Sequence, residues 1–183
     1  MRDLSLHLLD ILTNSISAGA TVMNVDIVLD KGKDRLKMTI SDNGSGMSAD
    51  FLKTVTDPFS TTRTTRKVGL GLPLLKEMCE LTGGSLTIQS KLGTGTVVDA
   101  VIVLSSIDRL PVGNTGESLA ALISTYVERD FAIRFQSVGE DESFIDTREI
   151  RSKLDGVPLS DPEVYLFLSQ YILEQQMNIL GGI

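Results

Sequence analysis

The stretch from residue 3 to residue 18 limits this chain to few architectures. Leu4, Leu6, Leu8, Leu9, Ile11, Leu12 and Ile16 cover most of a helix's circumference. Asp3, His7, Asp10, Asn14 and Ser17 recur every three or four residues and form one polar stripe. A helix so apolar belongs in an interior, and its stripe must then face water, a partner or a ligand. Gly19 ends it. Val25, Ile27 and Leu29 then alternate with polar residues, as do Leu36, Met38 and Ile40, with "DKGKDR" as the turn of a hairpin.

The pattern repeats. After a polar, basic stretch, "DPFSTTRTTRKV", which reads as a long mobile loop, "GLGLP" opens a second helix. That helix runs through Leu74, Leu75, Met78 and Leu81 to Gly83-Gly84, and two strands follow, "SLTIQS" and "TVVDAVIVL". Helix, two strands, loop, helix and two strands predict an α/β two-layer sandwich over residues 1–105. Beyond the expected linker "IDRLPVGNTGE", residues 106–183 read as a small α/β extension. A helix is expected over 117–128, strands over "FAIRFQSV" and "SFID", then a short helix and a longer one from Pro162 to about Met177. Ser160 and Glu163 make a capping box for the last helix.

Composition narrows the function classes. The net charge of −7 comes wholly from the extension, with six Lys/Arg against thirteen Asp/Glu, while residues 1–105 balance at eleven each. An acidic extension argues against nucleic acid as partner. No run reaches the roughly 20 apolar residues of a membrane helix. Asp3, His7 and Asp10 break the N-terminal apolar stretch too early for a signal peptide, and the single Cys79 excludes an internal disulfide. A cytoplasmic location is expected.

One turn concentrates chemistry. "SDNGSGM", residues 41–47, offers several oxygens, but counting from Asp42 puts Gly44 and Gly46 where a calcium loop needs ligands and Lys53 where it needs glutamate. Gly69-Leu70-Gly71, at the opening of a helix, suits an anion, and Arg63, Arg66 and Lys67 add charge. The Rossmann pattern fails at Leu74, however, and no P-loop exists. Asn14 is suited to a magnesium ion bridging phosphates, and Asp42 to a base's amino group, with Gly44 and Gly46 leaving room for the ring. Thr96 is placed to support that carboxylate through its hydroxyl. Plainer roles compete: an internally bonded Asn14, a turn-forming Asp42, a strand residue at 96, a solvated basic loop.

Taken in order, these segments resemble the GHKL superfamily of ATP-binding domains, which includes histidine kinases, gyrase-type and Hsp90-type ATPases, mismatch-repair ATPases and anti-sigma serine kinases. "HLLDILTNSISAGAT" is similar to the N-box and "DNGSGM" to the adenine-binding box. "DPFSTTR" and "GLGLPLLKEM" resemble the boxes that flank a lid over the phosphates, and "GGSLTIQSKLGTGT" the closing segment. The likeness spans residues 4–103. It implies a Bergerat-type mixed sheet with ATP and Mg²⁺ as cofactors. Asn14 would hold the metal, and Asp42, Gly44, Gly46, Met47 and Thr96 the adenine end. Thr62, Arg63, Lys67, Gly69, Leu70, Gly71 and Leu72 would lie along the lid and phosphates.

Three departures limit what the resemblance carries over. The N-box begins near Met1, so no phosphoacceptor hairpin is expected, and His7 lies inside the N-box, near the site, as a structural or polar-stripe residue. Self-phosphorylation is therefore not expected, and a separate protein partner or phosphoacceptor is. Asp10 stands one turn before Asn14, where gyrase-like and mismatch-repair relatives place a glutamate base. It is suited to activating water or a hydroxyl, or to holding metal-bound water. Residues 106–183 match no family pattern and read equally as a docking module or a packed extension. Expected activities are phosphotransfer or slow hydrolysis; a non-catalytic ATP-controlled switch is the alternative, and a homodimer is compatible with either.

Overall fold

The computed structural model of the chain describes residues 2–57 and 71–183. The polar-striped segment is helix α1 (Leu4–Ser17), capped by Asp3, whose carboxylate accepts from the Leu6 N–H at 3.1 Å. A hairpin follows, β1 (Val22–Asp30) and β2 (Arg35–Asp42), closed by a single 3-10 turn at Lys31–Lys33. Asp34 there adopts φ 55°, a left-handed conformation that Asp tolerates better than most residues. Before the expected loop, which apart from Asp57 lies outside the described residues, comes a short helix, α2 (Ala49–Thr54), capped by Ser48. Six residues are too few to display a period. Then come α3 (Gly71–Leu81), β3 (Ser85–Lys91) and β4 (Gly95–Val103), as the apolar pattern requires.

The last third contributes α4 (Thr115–Thr125), β5 (Asp130–Ser137), β6 (Glu142–Asp146), α5 (Thr147–Lys153) and α6 (Pro162–Leu180). The cap of α6 is Asp161, not Ser160: its carboxylate accepts from the Glu163 N–H at 2.8 Å. Pro162 fixes the reason, because proline favours the first helical position and makes the residue before it the cap.

All six strands join one sheet in the order β3-β4-β2-β1-β5-β6. Every pairing is antiparallel except β1 with β5, so the sheet is mixed. One face is apolar: Met23, Val25, Ile27 and Leu29 of β1 meet Leu8 and Leu12 of α1 in a core that also takes Leu75 of α3, Leu119 of α4 and Leu168 of α6. The other carries Asp26, Lys37, Thr39, Asp99 and Arg134, joined as ion pairs and hydrogen bonds. Helices α1, α3, α4 and α6 therefore form a single layer over one face, the two-layer α/β arrangement.

Residues 106–183 are built into this layer. The segment expected as a linker lies against the start of α1, where the carbonyls of Pro111 and Val112 accept from the N–H groups of Leu4 and Ser5 at 3.0 and 2.9 Å. Those N–H groups have no partner inside their own helix, so the segment satisfies them.

Candidate functional site

Asp42 is the last residue of β2, at the edge of the sheet where α1 also ends. Its carboxylate is held twice: one oxygen accepts from the Ser15 hydroxyl at 2.7 Å, the other from the Gly44 N–H at 2.8 Å. Each oxygen retains a lone pair. Thr96 pairs with Asp42 across the β2–β4 ladder, but its hydroxyl lies 2.9 Å from that of Ser90. The support expected from Thr96 thus comes from Ser15. Sequence reasoning passed over Ser15 and Ser90: Ser15 is buried by packing on the end of β2, which no local pattern marks.

The turn after Asp42 is stitched to both neighbours. The Asn43 side chain accepts from the N–H groups of Thr21 and Val22 at 2.8 and 3.0 Å, which fixes the start of β1. Ser45 N–H donates to the Ala18 carbonyl at the end of α1, and the Ser45 carbonyl accepts from Gly93 N–H in the β3–β4 turn. Met47 N–H donates to the Ser90 hydroxyl at 2.8 Å. The glycines serve this packing directly. A Cβ on Gly46, at φ +64°, would lie 2.0 Å from the Lys91 carbonyl oxygen, and one on Gly44 would meet Asp42 and Ala18. Their lack of side chains makes room for the protein's own backbone before any ring is considered.

On α1 the polar stripe divides. His7 is buried, so of its two expected roles it takes the structural one, and among the described residues its Nδ1 has no hydrogen-bond partner. Burial lowers its pKa to about 4, so it is neutral at neutral pH. Asp10 is half-buried and faces the start of α3: a Cβ on Gly71 would lie 2.6 Å from its Oδ2. Gly71 therefore lets the carboxylate approach a helix start, where negative charge is favoured. Asn14, one turn on, is exposed, and among the described residues its side-chain amide has no hydrogen-bond partner. Leu72 is half-buried against the core. Thr62, Arg63, Lys67, Gly69 and Leu70 lie outside the described residues.

Asp10, Asn14 and the Ser15–Asp42 pair therefore lie along one helix between the start of α3 and the Asp42 turn. The family model for histidine kinase-, DNA gyrase B- and HSP90-like ATPases matches residues 2–106. This chain belongs to that family. In this ATPase family it is 40% identical, over 86 residues, to an uncharacterized sensor-like histidine kinase of Rhizobium meliloti, a match covering 44% of this chain and 16% of the relative. It is 36% identical over 91 residues to the sensor protein DegM of a Bacillus species, covering 50% of this chain and 24% of that one. The match thus spans a quarter or less of those two relatives. Among solved structures, the N-terminal domain of a DNA repair protein superposes with a TM-score of 0.51 at 15% identity, covering 79% of this chain and 52% of that one. That likeness concerns fold alone. Covering 79% of the chain, it extends past the family-matched residues 2–106 into the C-terminal segment. The chain carries a histidine kinase-like ATPase domain on a mixed α/β sheet.

Proposed function

We propose that this chain binds ATP with Mg²⁺ between α1, the Asp42 turn and the start of α3, and acts in the cytoplasm on a separate protein. The activity would be phosphotransfer or slow hydrolysis. The Asp42 carboxylate carries the reading. Ser15 and Gly44 N–H fix its orientation while leaving each oxygen able to accept from an adenine amino group. A guanine carbonyl at that place would meet an acceptor with an acceptor.

The residues present fit the metal. Asn14 offers an exposed amide oxygen, a hard ligand that magnesium accepts alongside waters and phosphate oxygens. Among the described residues no group of three or more His, Cys, Asp or Glu could hold a cation unaided, so the nucleotide's phosphates would complete the shell. Asp10, facing Gly71, would take a proton from water or an acceptor hydroxyl. Motif position alone assigns Thr62, Arg63, Lys67, Gly69 and Leu70 to the phosphates. Residues 1–105 would hold the nucleotide, and 106–183 would form an extension of the same sheet.

Calorimetric titration with ATP and Mg²⁺ tests this. Saturable binding is expected, weakened about a hundredfold or more in Asp42→Asn, where an amino group would face the base's own. Equal affinity in that variant sinks the adenine assignment. In Asp10→Asn, binding should persist while phosphate release or transfer to a partner is lost. Undiminished turnover removes Asp10 as base, and intact ATP retained by the native chain with its partner would point to a nucleotide-controlled switch.

A further inference from the structure

The buried ridge of α6 runs Val164, Leu168, Ile172, Gln176, Leu180, one residue per turn, and Gln176 is its one polar member. Packing alone would favour a leucine there, because a buried amide is costly unless each polar atom is bonded. Here each is. The Gln176 carbonyl oxygen accepts from the Thr115 N–H at 3.3 Å and the Thr115 hydroxyl at 2.6 Å, and its amide donates to the Gly113 carbonyl at 3.0 Å. Both Gln176 and Thr115 are buried.

What Gln176 holds is the loop that holds α1. Pro111 and Val112 accept from the first N–H groups of that helix, and Gly113 presses so closely on the Asp3 cap that a Cβ would lie 2.5 Å from its Cγ. The other end of α1 is fixed separately, by Ser15 on Asp42 and by the Ala18 carbonyl, which accepts from Ser45 N–H. Asp10 and Asn14 sit between the two anchors. One anchor comes from the turn assigned to adenine; the other comes from residues outside the family match.

We infer that Gln176 is a positioning residue for the phosphate end of the nucleotide site, acting through the 111–115 loop and the first turns of α1. The inference rests on the ATP reading. Loosening this anchor frees Asp10 and Asn14 to shift while the Asp42 end stays fixed. Affinity for the Mg²⁺–triphosphate part should fall, and affinity for adenosine, which engages the Asp42 end, should not.

The test compares the whole chain, Gln176→Leu and Ile172→Val, the last being a cavity in the same ridge that touches none of these hydrogen bonds. Each is titrated with Mg²⁺–ATP and with adenosine by nuclear magnetic resonance, and amide exchange is followed along α1. Gln176→Leu should bind Mg²⁺–ATP about tenfold more weakly, bind adenosine within about twofold of the parent, and exchange faster over residues 4–10. Ile172→Val should leave all three unchanged whatever its melting temperature. Unchanged ATP affinity in a folded Gln176→Leu, or equal losses for ATP and adenosine, overturns the inference. If the native chain binds no ATP, the ATP reading and the site role of Gln176 fail together. Exchange over residues 4–10 then still decides whether the anchor exists.

Discussion

Two carboxylates end strands of this sheet, with β1 and β5 between them, and they are treated oppositely. Asp146, the last residue of β6 and cap of α5, is saturated: both oxygens accept from the Arg148 guanidinium, at 2.6 to 3.1 Å, and one also accepts from the Arg148 N–H. The arginine holds its pKa below the usual carboxylate value. Asp42, the last residue of β2, has one hydroxyl and one backbone N–H as its described partners. A structural carboxylate is neutralised by its own neighbours; Asp42 is oriented by its neighbours and left with open lone pairs, which is what the proposed ATP reading requires. The same contrast runs through the two regions. Within residues 2–106 one set of polar contacts, from Ser15, Ala18, Thr21, Ser90 and Gly93, converges on the 42–47 turn, whereas the described contacts of the remainder cap helices and pair adjacent elements.

Three variants and one double-mutant cycle sharpen or break that contrast. Gly46→Ala should have the largest effect, about 4 kcal/mol, because a strained left-handed φ and a collision with the Lys91 backbone act together. The fall in the urea unfolding midpoint measures it. Leu168→Ala, at a fully buried site on α6, should cost about 3 kcal/mol and still unfold in one transition, since both regions share a core. Two separate transitions would divide the regions and break the comparison.

A smaller effect belongs to His7. Its pKa is about 4 in the folded chain against 6.5 unfolded, so below pH 6.5 the unfolded chain takes up the proton first. Stability should decline as pH falls from 6.5 towards 4, and His7→Gln should flatten that slope in melts across the range. Smallest is the Asp26–Arg134 pair, at 2.6 Å on the polar face between β1 and β5, with both side chains partly exposed. A double-mutant cycle should return about 0.5 kcal/mol, shrinking with salt.

Much of this was legible in the sequence because period and punctuation are local. Four strands, helices α1 and α3 and the Asp42 turn follow from alternation, helical spacing and glycines. The strands and helices of the last third fall within a few residues of where their patterns put them. What escaped needed distance. Ser15 meets Asp42 only because the end of α1 packs over the end of β2, and nothing near residue 15 announces it. His7 shares a stripe with Asp10 and Asn14, but which part of the stripe is covered depends on a neighbouring helix. Nor does any local signal place β5 beside β1.

That placement bears on how the chain is made. β5 completes β1 by parallel pairing about a hundred residues downstream. Until the ribosome reaches it, several seconds later at ordinary rates of synthesis, β1 has a bare edge of unpaired N–H and C=O groups. The nascent hairpin is thus a template for any extended segment nearby, and truncation anywhere before residue 130 should leave a product that aggregates rather than a smaller folded domain.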